Sequence, residues 1–442
     1  FHLRPEAKWN NGDPLTASDF VAGLRRSADP ATGSAFSQIL SPIENADAIL
    51  AGKLPPTALG VVAVNAHTLQ IRLKAATPYL LGLLTHATTY PIHAASLAQH
   101  GSAFARPGKL VSNGAYQLSE WVVQSQVTLM RNPHYWNNAH TKIDRVIYLP
   151  SEDINSELKR YRAGELDITY EFPLVQAPLI RKNLNDELRI ATYIGSYYYG
   201  FNLSRPPFTD NRKLRQALNL VVDRELIVNK VMNGVAKPAY GWVPPGTWNY
   251  TPQEPAWAKW PMAQRIALAQ KLYAEAGYSQ ENPLEVEIRY NTHDDHKRIA
   301  IVISAMWKQA LGVRARLLNE EFKIFINNRK LKKITEVFRA SWIGDYDDAS
   351  AYADTLLAGH GQNDAAYNNP AYDALVTQAA FEPDAQKRRA LLERAEQWVI
   401  EDVPLLPIYF YVSKHLVKPS VKGWEDNLLD YHYSKDLWLE KE

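Results

Sequence analysis

LEVEIRYNTHDDHKRIAIVISAMWKQALGVRARLLN, residues 284–319, changes its hydrophobic period twice, and that change decides the fold class. Leu284, Val286 and Ile288 alternate with charged neighbours, the two-residue period of a strand. From Arg298 to Leu311 apolar residues return at helical spacing, Gly312 breaks the run, and VRARLLN (313–319) alternates again. Strand, helix and strand in succession predict a βαβ unit, and with it an α/β lobe. HDDH (293–296) carries two histidines at i, i+3, a spacing that can chelate a metal on a helix. Because it immediately precedes the helix, Asp294 or Asp295 reads as a cap, and no metal is expected.

The same reading extends outward. GSYYYGFNLS (195–204) and LPIYFYV (406–412) are aromatic strands. KLRQALNLVVDRELIVNKVMNG (213–234) reads as two consecutive helices, with Asp223 capping the second and Gly234 ending it. Helices are also expected over 263–276, stopped by Gly277, and over 385–401, with Leu391, Leu392, Ala395, Trp398 and Val399 on one face. Toward the N-terminus, Thr16 and Asp19 form a capping-box pattern before Phe20, Val21 and Leu24. Two short strands lie between Leu59 and Leu73, and a meander runs through GAYQLSEWVVQSQVTLMRNPHYW (114–136). A short helix at 156–163 leads into GELDITY (164–170), read as a strand, and the opening FHLR also alternates like one. The sequence holds no internal repeat or Gly/Ser linker, so lobes are joined by structured crossovers.

At 442 residues the chain exceeds one ordinary domain, and two or three lobes are expected. Its 46% apolar and 22% charged residues are those of a globular protein, with no apolar run long enough for a transmembrane helix. Lys+Arg 49 against Asp+Glu 47 lacks the basic excess of a nucleic-acid groove. Cysteine is absent, which excludes disulfides, thiolate nucleophiles, Cys-type zinc sites and a lipidated cysteine within this chain. The start at Phe1, with neither initiator Met nor signal segment, reads as a processed or trimmed product. Twelve Trp, 24 Tyr and 12 Phe are enough to line a ligand cleft as well as fill cores.

Catalytic signatures are missing. The sequence holds no nucleophile elbow, phosphate loop, dinucleotide fingerprint or HExxH, so neither a catalytic residue nor a cofactor is expected. FRASWIGDYDDAS (338–350) is the stretch that asks for a ligand, because three aspartates crowd the end of an apolar strand. A calcium loop starting at Asp345 would need Gly and Glu where Ser350 and Leu356 stand. Asp347 and Asp348 read as turn and cap. Asp345 directly follows the strand, where a carboxylate can receive an ammonium group while open backbone groups pair with a ligand backbone.

The chain resembles the oligopeptide-binding proteins of bacterial ABC importers over essentially its whole length. FHLRPEAKWNNGDPLTASDFV, VSNGAYQLSEWV, RNPHYWNNAHTKIDRVIYLP, YRAGELDITY, YYYGFNLSRPPFTDNRKLRQALNLVVDRE, LGVRARLLNEEFKIFINNR and ASWIGDYDDAS fall in the family's order. The resemblance implies a mixed α/β, two-lobed periplasmic-binding-protein fold with an extra small domain, closing on ligand about two crossing strands. It implies residues 1–93 in the small domain, 94–194 with 412–442 in a first lobe, and 195–411 in a second lobe. A further N-terminal segment of the family, which supplies strands to the first lobe, is expected to be lacking here.

By the same resemblance Asp345 captures a peptide α-amine, and Ser341, Trp342 and Ile343 pair with peptide backbone. Arg339, Arg329 and His296 meet peptide carboxylates, with Asn291 beside them. Phe36, His86, Tyr198, Phe322 and Tyr411 line side-chain pockets. Gly195 and Ile343 stand where close relatives carry a cysteine pair, Met232 where they carry a lysine, and Gly200 where they carry a pocket glutamate. The implied protein is a monomeric periplasmic receptor that hands short peptides to an ABC permease in the inner membrane. It uses no cofactor, metal or nucleic acid. The other readings are the same fold tuned to murein peptides, opines or oligosaccharides, and, more remotely, a glycoside hydrolase.

Overall fold

The computed structural model describes residues 1–151 and 153–440. Its centre is a six-stranded mixed sheet. In chain order the strands are β6 (Leu188–Phe201), β7 (Lys237–Pro238), β8 (Glu285–Asn291), β9 (Arg314–Glu320), β10 (Val337–Ile343) and β11 (Leu405–Leu416). Their spatial order is β7-β11-β6-β10-β8-β9. Before them come β1 (Val61–Asn65) and β2 (Thr68–Ile71), paired as a hairpin. A separate antiparallel sheet is formed by β3 (Tyr116–Val122), β4 (Gln126–Arg131) and β5 (Arg145–Tyr148). β8 and β9 pair in parallel around the helix Asp294–Leu311, which is the βαβ unit expected from residues 284–319.

The aromatic run of β6 is buried on both faces. Tyr197, Tyr199 and Phe201 point into one hydrophobic cluster, and Tyr198 points into another with Phe338 and Ala340. A strand packed on both sides reads as a continuous apolar run, which is why residues 195–201 show so little polar alternation. A smaller core, made of Leu24, Leu40, Ile43, Ile49, Leu59 and Val61, holds the N-terminal unit together. A fourth gathers Val417, Val421 and Leu437 with Ile143, Ile168 and Trp424.

β6 and β11 are the long elements, and one antiparallel ladder runs from Leu405↔Gly200 to Leu416↔Leu188. It is irregular between Pro407 and Tyr409 and between Phe410 and Val412. Its far end lies beside the fourth cluster, so these two strands carry the chain from the six-stranded sheet to the rest of the molecule.

Local signals were mostly realised. Asp19 accepts from the Thr16 backbone N–H at 2.8 Å, closing the expected box. Asp223 caps the short helix Arg224–Leu226, although that helix continues as a π turn over Ile227–Val231. Three expectations need correction. GELDITY forms only one isolated bridge, Ile168 to Val417, because its neighbours are pinned to helix 154–162 and to β11 instead. FHLR contributes one bridge, His2 to Thr68. The helix after HDDH begins at Asp294, and its cap is His293, whose Nδ1 accepts from the Asp295 N–H at 3.2 Å. A histidine ring nitrogen can satisfy a helix N–H as a carboxylate would, which leaves Asp294 and Asp295 inside the first turn.

Candidate functional site

β10 lies between β6 and β8 but is not paired equally with both. Against β6 it is matched along its whole length, from Val337↔Phe201 to Ile343↔Gly195. Against β8 only Val337 and Phe338 have partners, Ile288 and Arg289. β8 and β9 therefore diverge from β10 after Phe338. Among the described residues, Arg339–Ile343 keep an edge with no strand beside it, and such an edge is a template for another extended chain.

Alternation gives this slot two walls. Arg339, Ser341 and Ile343 face one side with their β6 partners Tyr199, Tyr197 and Gly195, while Trp342 and Tyr198 face the other. Trp342 is fixed by its indole N–H, which donates to the Ala351 carbonyl at 2.7 Å. Tyr198 packs edge-on against Trp242 at 4.7 Å. Gly344 ends the strand: its N–H donates to the Ile194 carbonyl at 2.9 Å, and an added Cβ would sit 3.1 Å from Ile194 and 3.2 Å from Tyr352. The absent side chain lets the backbone turn tightly and presents the next residue, Asp345, at the mouth of the slot.

Among the described residues Asp345 makes no side-chain hydrogen bond or ion pair, although it is half-buried. Burial raises its carboxyl above the ordinary 3.8, and nearby His86 opposes that shift. His86 accepts the Thr88 N–H on Nδ1 at 3.2 Å and stands 5.1 Å from the exposed ring of Phe36. The two neighbouring aspartates are committed. Asp347 accepts the Trp248 N–H at 2.7 Å. Asp348 is buried, accepts the Ser350 N–H at 2.9 Å and is gripped by both terminal nitrogens of Arg388 at 2.7 Å. The turn expectation holds, but the N-cap of the helix Ser350–Ala353 is Ala349, and Asp348 receives that helix's first N–H from the position before it, held by a buried ion pair with no local sequence signal. The signal that would have found Arg388 is parity along the helix Ala385–Asp402, where it shares the buried face with Leu392 and Ala395.

Arg339 forms the other end. Its guanidinium donates to Asn291 Oδ1 at 3.3 Å, to Ser341 Oγ at 3.2 Å and to the Tyr411 hydroxyl at 3.2 Å, and lies 4.8 Å over the Tyr197 ring. No carboxylate among the described residues is within ion-pair reach, and its Nε–H is buried with no acceptor. His296 Nδ1 stands 3.3 Å from the Tyr197 hydroxyl. Burial, with help from Arg339 and His293, lowers His296 to about 2, so it is neutral here. A neutral imidazole beside a buried guanidinium, with no counter-ion among the described residues, is an arrangement that can accept an anion.

The predicted residues thus fall into groups. Asn291, His296, Arg339, Ser341 and Tyr411 come together, and Phe36 and His86 join Asp345. Arg329 is elsewhere in character: its Nε lies 2.7 Å from Asp364, an ion pair too poorly aligned for a hydrogen bond, under Phe338 and near Tyr198. Phe322 opens the helix Phe322–Leu331, is more than half exposed, and among the described residues makes no aromatic or polar contact with these groups. Tyr197 and Asp364 were missed. Tyr197 could have been found from register, since it pairs with Ser341 and so shares the Arg339 face.

Three positions that the resemblance singles out are closely surrounded. At Gly200 an added Cβ would lie 2.1 Å from the Phe338 ring, so that ring fills the room a longer side chain would use. At Gly195 it would lie 2.6 Å from Ile343, its direct strand partner. Met232 is buried in the large core.

A sheet with one strand edge left open between two clusters, and with opposite free charges along it, is the arrangement of a receptor for an extended solute. Residues 1–364 match the model of bacterial extracellular solute-binding proteins, family 5 Middle, and the chain belongs to that family. It is 40% identical over 445 residues to the periplasmic oligopeptide-binding protein OppA of Escherichia coli, covering all of this chain and 82% of that protein. The Escherichia coli murein tripeptide-binding protein MppA superposes with a TM-score of 0.87 at 38% identity, covering 100% of this chain and 87% of that one. Haemophilus influenzae OppA in complex with RPPGFSPFR gives a TM-score of 0.84 at 37% identity, with the same coverage. The fold is the mixed α/β, two-lobed fold of these receptors, and the relatives are periplasmic. No described helix is long and apolar enough to cross a membrane.

Proposed function

We propose that this chain is a receptor for short peptides, not an enzyme, and that it delivers them to an ABC-type permease in the inner membrane. The observation that carries the reading is the open edge Arg339–Ile343 ending at a carboxylate, Asp345, with no partner among the described residues. A peptide laid along that edge gains backbone hydrogen bonds whatever its side chains are. Its α-ammonium meets Asp345, and its carboxylate is received by Arg339 with Asn291 and His296 beside it.

Asp345 and Arg339 are six residues apart, roughly 20 Å at about 3.3 Å per residue. The reach of the arginine side chain shortens that gap to one suited to a few residues. Tyr198, Trp342, Phe36, His86, Tyr411 and Phe322 are assigned to the side-chain pockets. Arg329, held by Asp364, becomes available only to a ligand group that competes with that carboxylate. In this reading residues 1–93 form the small domain, 94–194 with 412–442 the first lobe, and 195–411 the second, and the receptor works as a periplasmic monomer.

Calorimetry with a tripeptide tests it. Asp345→Asn is expected to cost about 2–5 kcal/mol of binding, the loss typical for one half of a desolvated charge pair. N-acetylation of the peptide, which removes the same ammonium, should weaken binding to the native protein but have little further effect on the variant. Equal affinity of native protein and variant for the free peptide would overturn the assignment.

A further inference from the structure

His415, Asp430 and His432 converge at the far end of the β6–β11 ladder, and the three ligand atoms they offer lie within 4.8 Å of one another. His415 Nε2 is 2.9 and 3.0 Å from the two Asp430 oxygens, and His432 Nε2 is 2.9 Å from Asp430 Oδ1. The other nitrogen of His415, Nδ1, faces the Thr169 carbonyl at 3.0 Å. A carbonyl oxygen can only accept, so Nδ1 must carry the hydrogen. The neutral ring then aims the Nε2 lone pair at a carboxylate that also only accepts. Two acceptors this close require a positive centre between them, either a second ring proton or a cation.

The surroundings are those of a metal site. Histidine ligands characteristically donate their second ring N–H to a carbonyl, which fixes tautomer and orientation, as Thr169 does for His415. The Trp424 ring stacks on His432 at 3.5 Å and 15°, and meets His415 edge-on at 5.1 Å, so both imidazoles are held in place without ligand. His415 is buried and the other two are half-buried. With zinc–ligand bonds of about 2.0–2.2 Å, neighbouring ligands of a tetrahedron are roughly 3.3–3.5 Å apart. The His–Asp contacts of 2.9–3.0 Å would widen by about half an ångström, and the two imidazole nitrogens, within 4.8 Å of each other, would settle to the same spacing.

We propose that His415, Asp430 and His432 bind a first-row divalent cation, Zn²⁺ in preference to Mg²⁺ or Ca²⁺, with a fourth position left to water. Two nitrogens and one carboxylate suit zinc, whereas magnesium and calcium take oxygen ligands. The cation sits at a mechanical joint. His415 belongs to β11, whereas Asp430 and His432 lie on the C-terminal segment, whose Leu428 carbonyl accepts the Ile194 N–H of β6 at 2.9 Å. Zinc would tie that segment to both long strands of the ladder.

Tag-free protein stripped with EDTA, then titrated with ZnCl2 in a calorimeter, tests the site. The expected result is saturable one-to-one binding and a raised melting temperature, with MgCl2 giving neither. His432→Ala and Asp430→Asn each should weaken binding by more than about 100-fold, beyond the 10–100-fold that loss of an outer partner costs. Both side chains are half-buried rather than core, and melting in EDTA shows whether the variants fold. His140→Ala, an exposed histidine outside the cluster, should bind zinc as the native protein does. Absence of stoichiometric binding, or equal affinity in native protein and folded His432→Ala and Asp430→Asn variants, would overturn the proposal and leave a plain His–Asp ion pair.

Discussion

Burial raises the Asp345 carboxyl above 3.8, and the sign of that shift has two opposite consequences. In the empty protein, the folded state holds a proton that the unfolded chain has already released. That contribution to stability is present below the unfolded value and is lost as pH rises through the folded one. Capture of an ammonium needs the ionised form, so affinity gains over the same interval. His296, lowered to about 2 in the empty protein, starts out neutral and adds no charge of its own there. Tripeptide affinity is therefore expected to fall as pH is taken from about 7 toward about 4, where carboxylates protonate. Asp345→Asn should flatten the profile. Calorimetry at a series of pH values reads both, and a native affinity independent of pH would contradict the role given to Asp345. The sequence reading set Asp345 apart from Asp347 and Asp348 because only Asp345 directly follows the strand-like run, and it is the two others that the structure shows engaged. The lack of a partner for Asp345 was not legible, since partners such as Arg388 and Trp248 come from far along the chain.

The strand β10 and the turn after it work as one element because Asp348 is anchored to the helix Ala385–Asp402. The Arg388–Asp348 pair is almost wholly enclosed, at 3% and 2% side-chain exposure, and Arg388 also covers the Tyr79 ring at 5.1 Å. Removing one member leaves a buried charge uncompensated, which typically costs about 3–5 kcal/mol. Arg388→Ala is expected to lower the unfolding free energy by that order in urea titration, and to weaken peptide binding by loosening the Asp345 turn. A variant as stable as the native protein would show that the pair holds nothing in place. At this scale period and caps located the elements well. The βαβ unit, the meander and the helix 385–402 were all found from spacing. What failed was GELDITY, whose alternation is strand-like but whose backbone groups go to Glu157 and to the end of β11. Alternation states a preference, and only a neighbouring edge turns it into a strand.

Across the whole molecule, the β6–β11 ladder links the sheet that carries the site to the cluster around Val417. If ligand bridges walls on either side of this ladder, binding should draw the molecule together. Small-angle scattering is expected to show a smaller radius of gyration with saturating tripeptide, and the melting temperature should rise with it. At 100 times Kd, stabilisation amounts to about 2.7 kcal/mol. An unchanged radius together with a raised melting temperature would place binding on one wall only. Periodicity, caps and turns within a few residues were enough to set the fold class, the order of the elements and the strand that runs up to the turn carrying Asp345. The sequence also placed the chain among its likenesses, through ordered motifs along its length. Long-range packing is what takes β8 away from β10 after Phe338, leaves Arg339 without a counter-ion among the described residues while Arg329 is neutralised by Asp364, and brings His415 to His432. Each of these joins segments distant in sequence, where local spacing carries no information about distance in space.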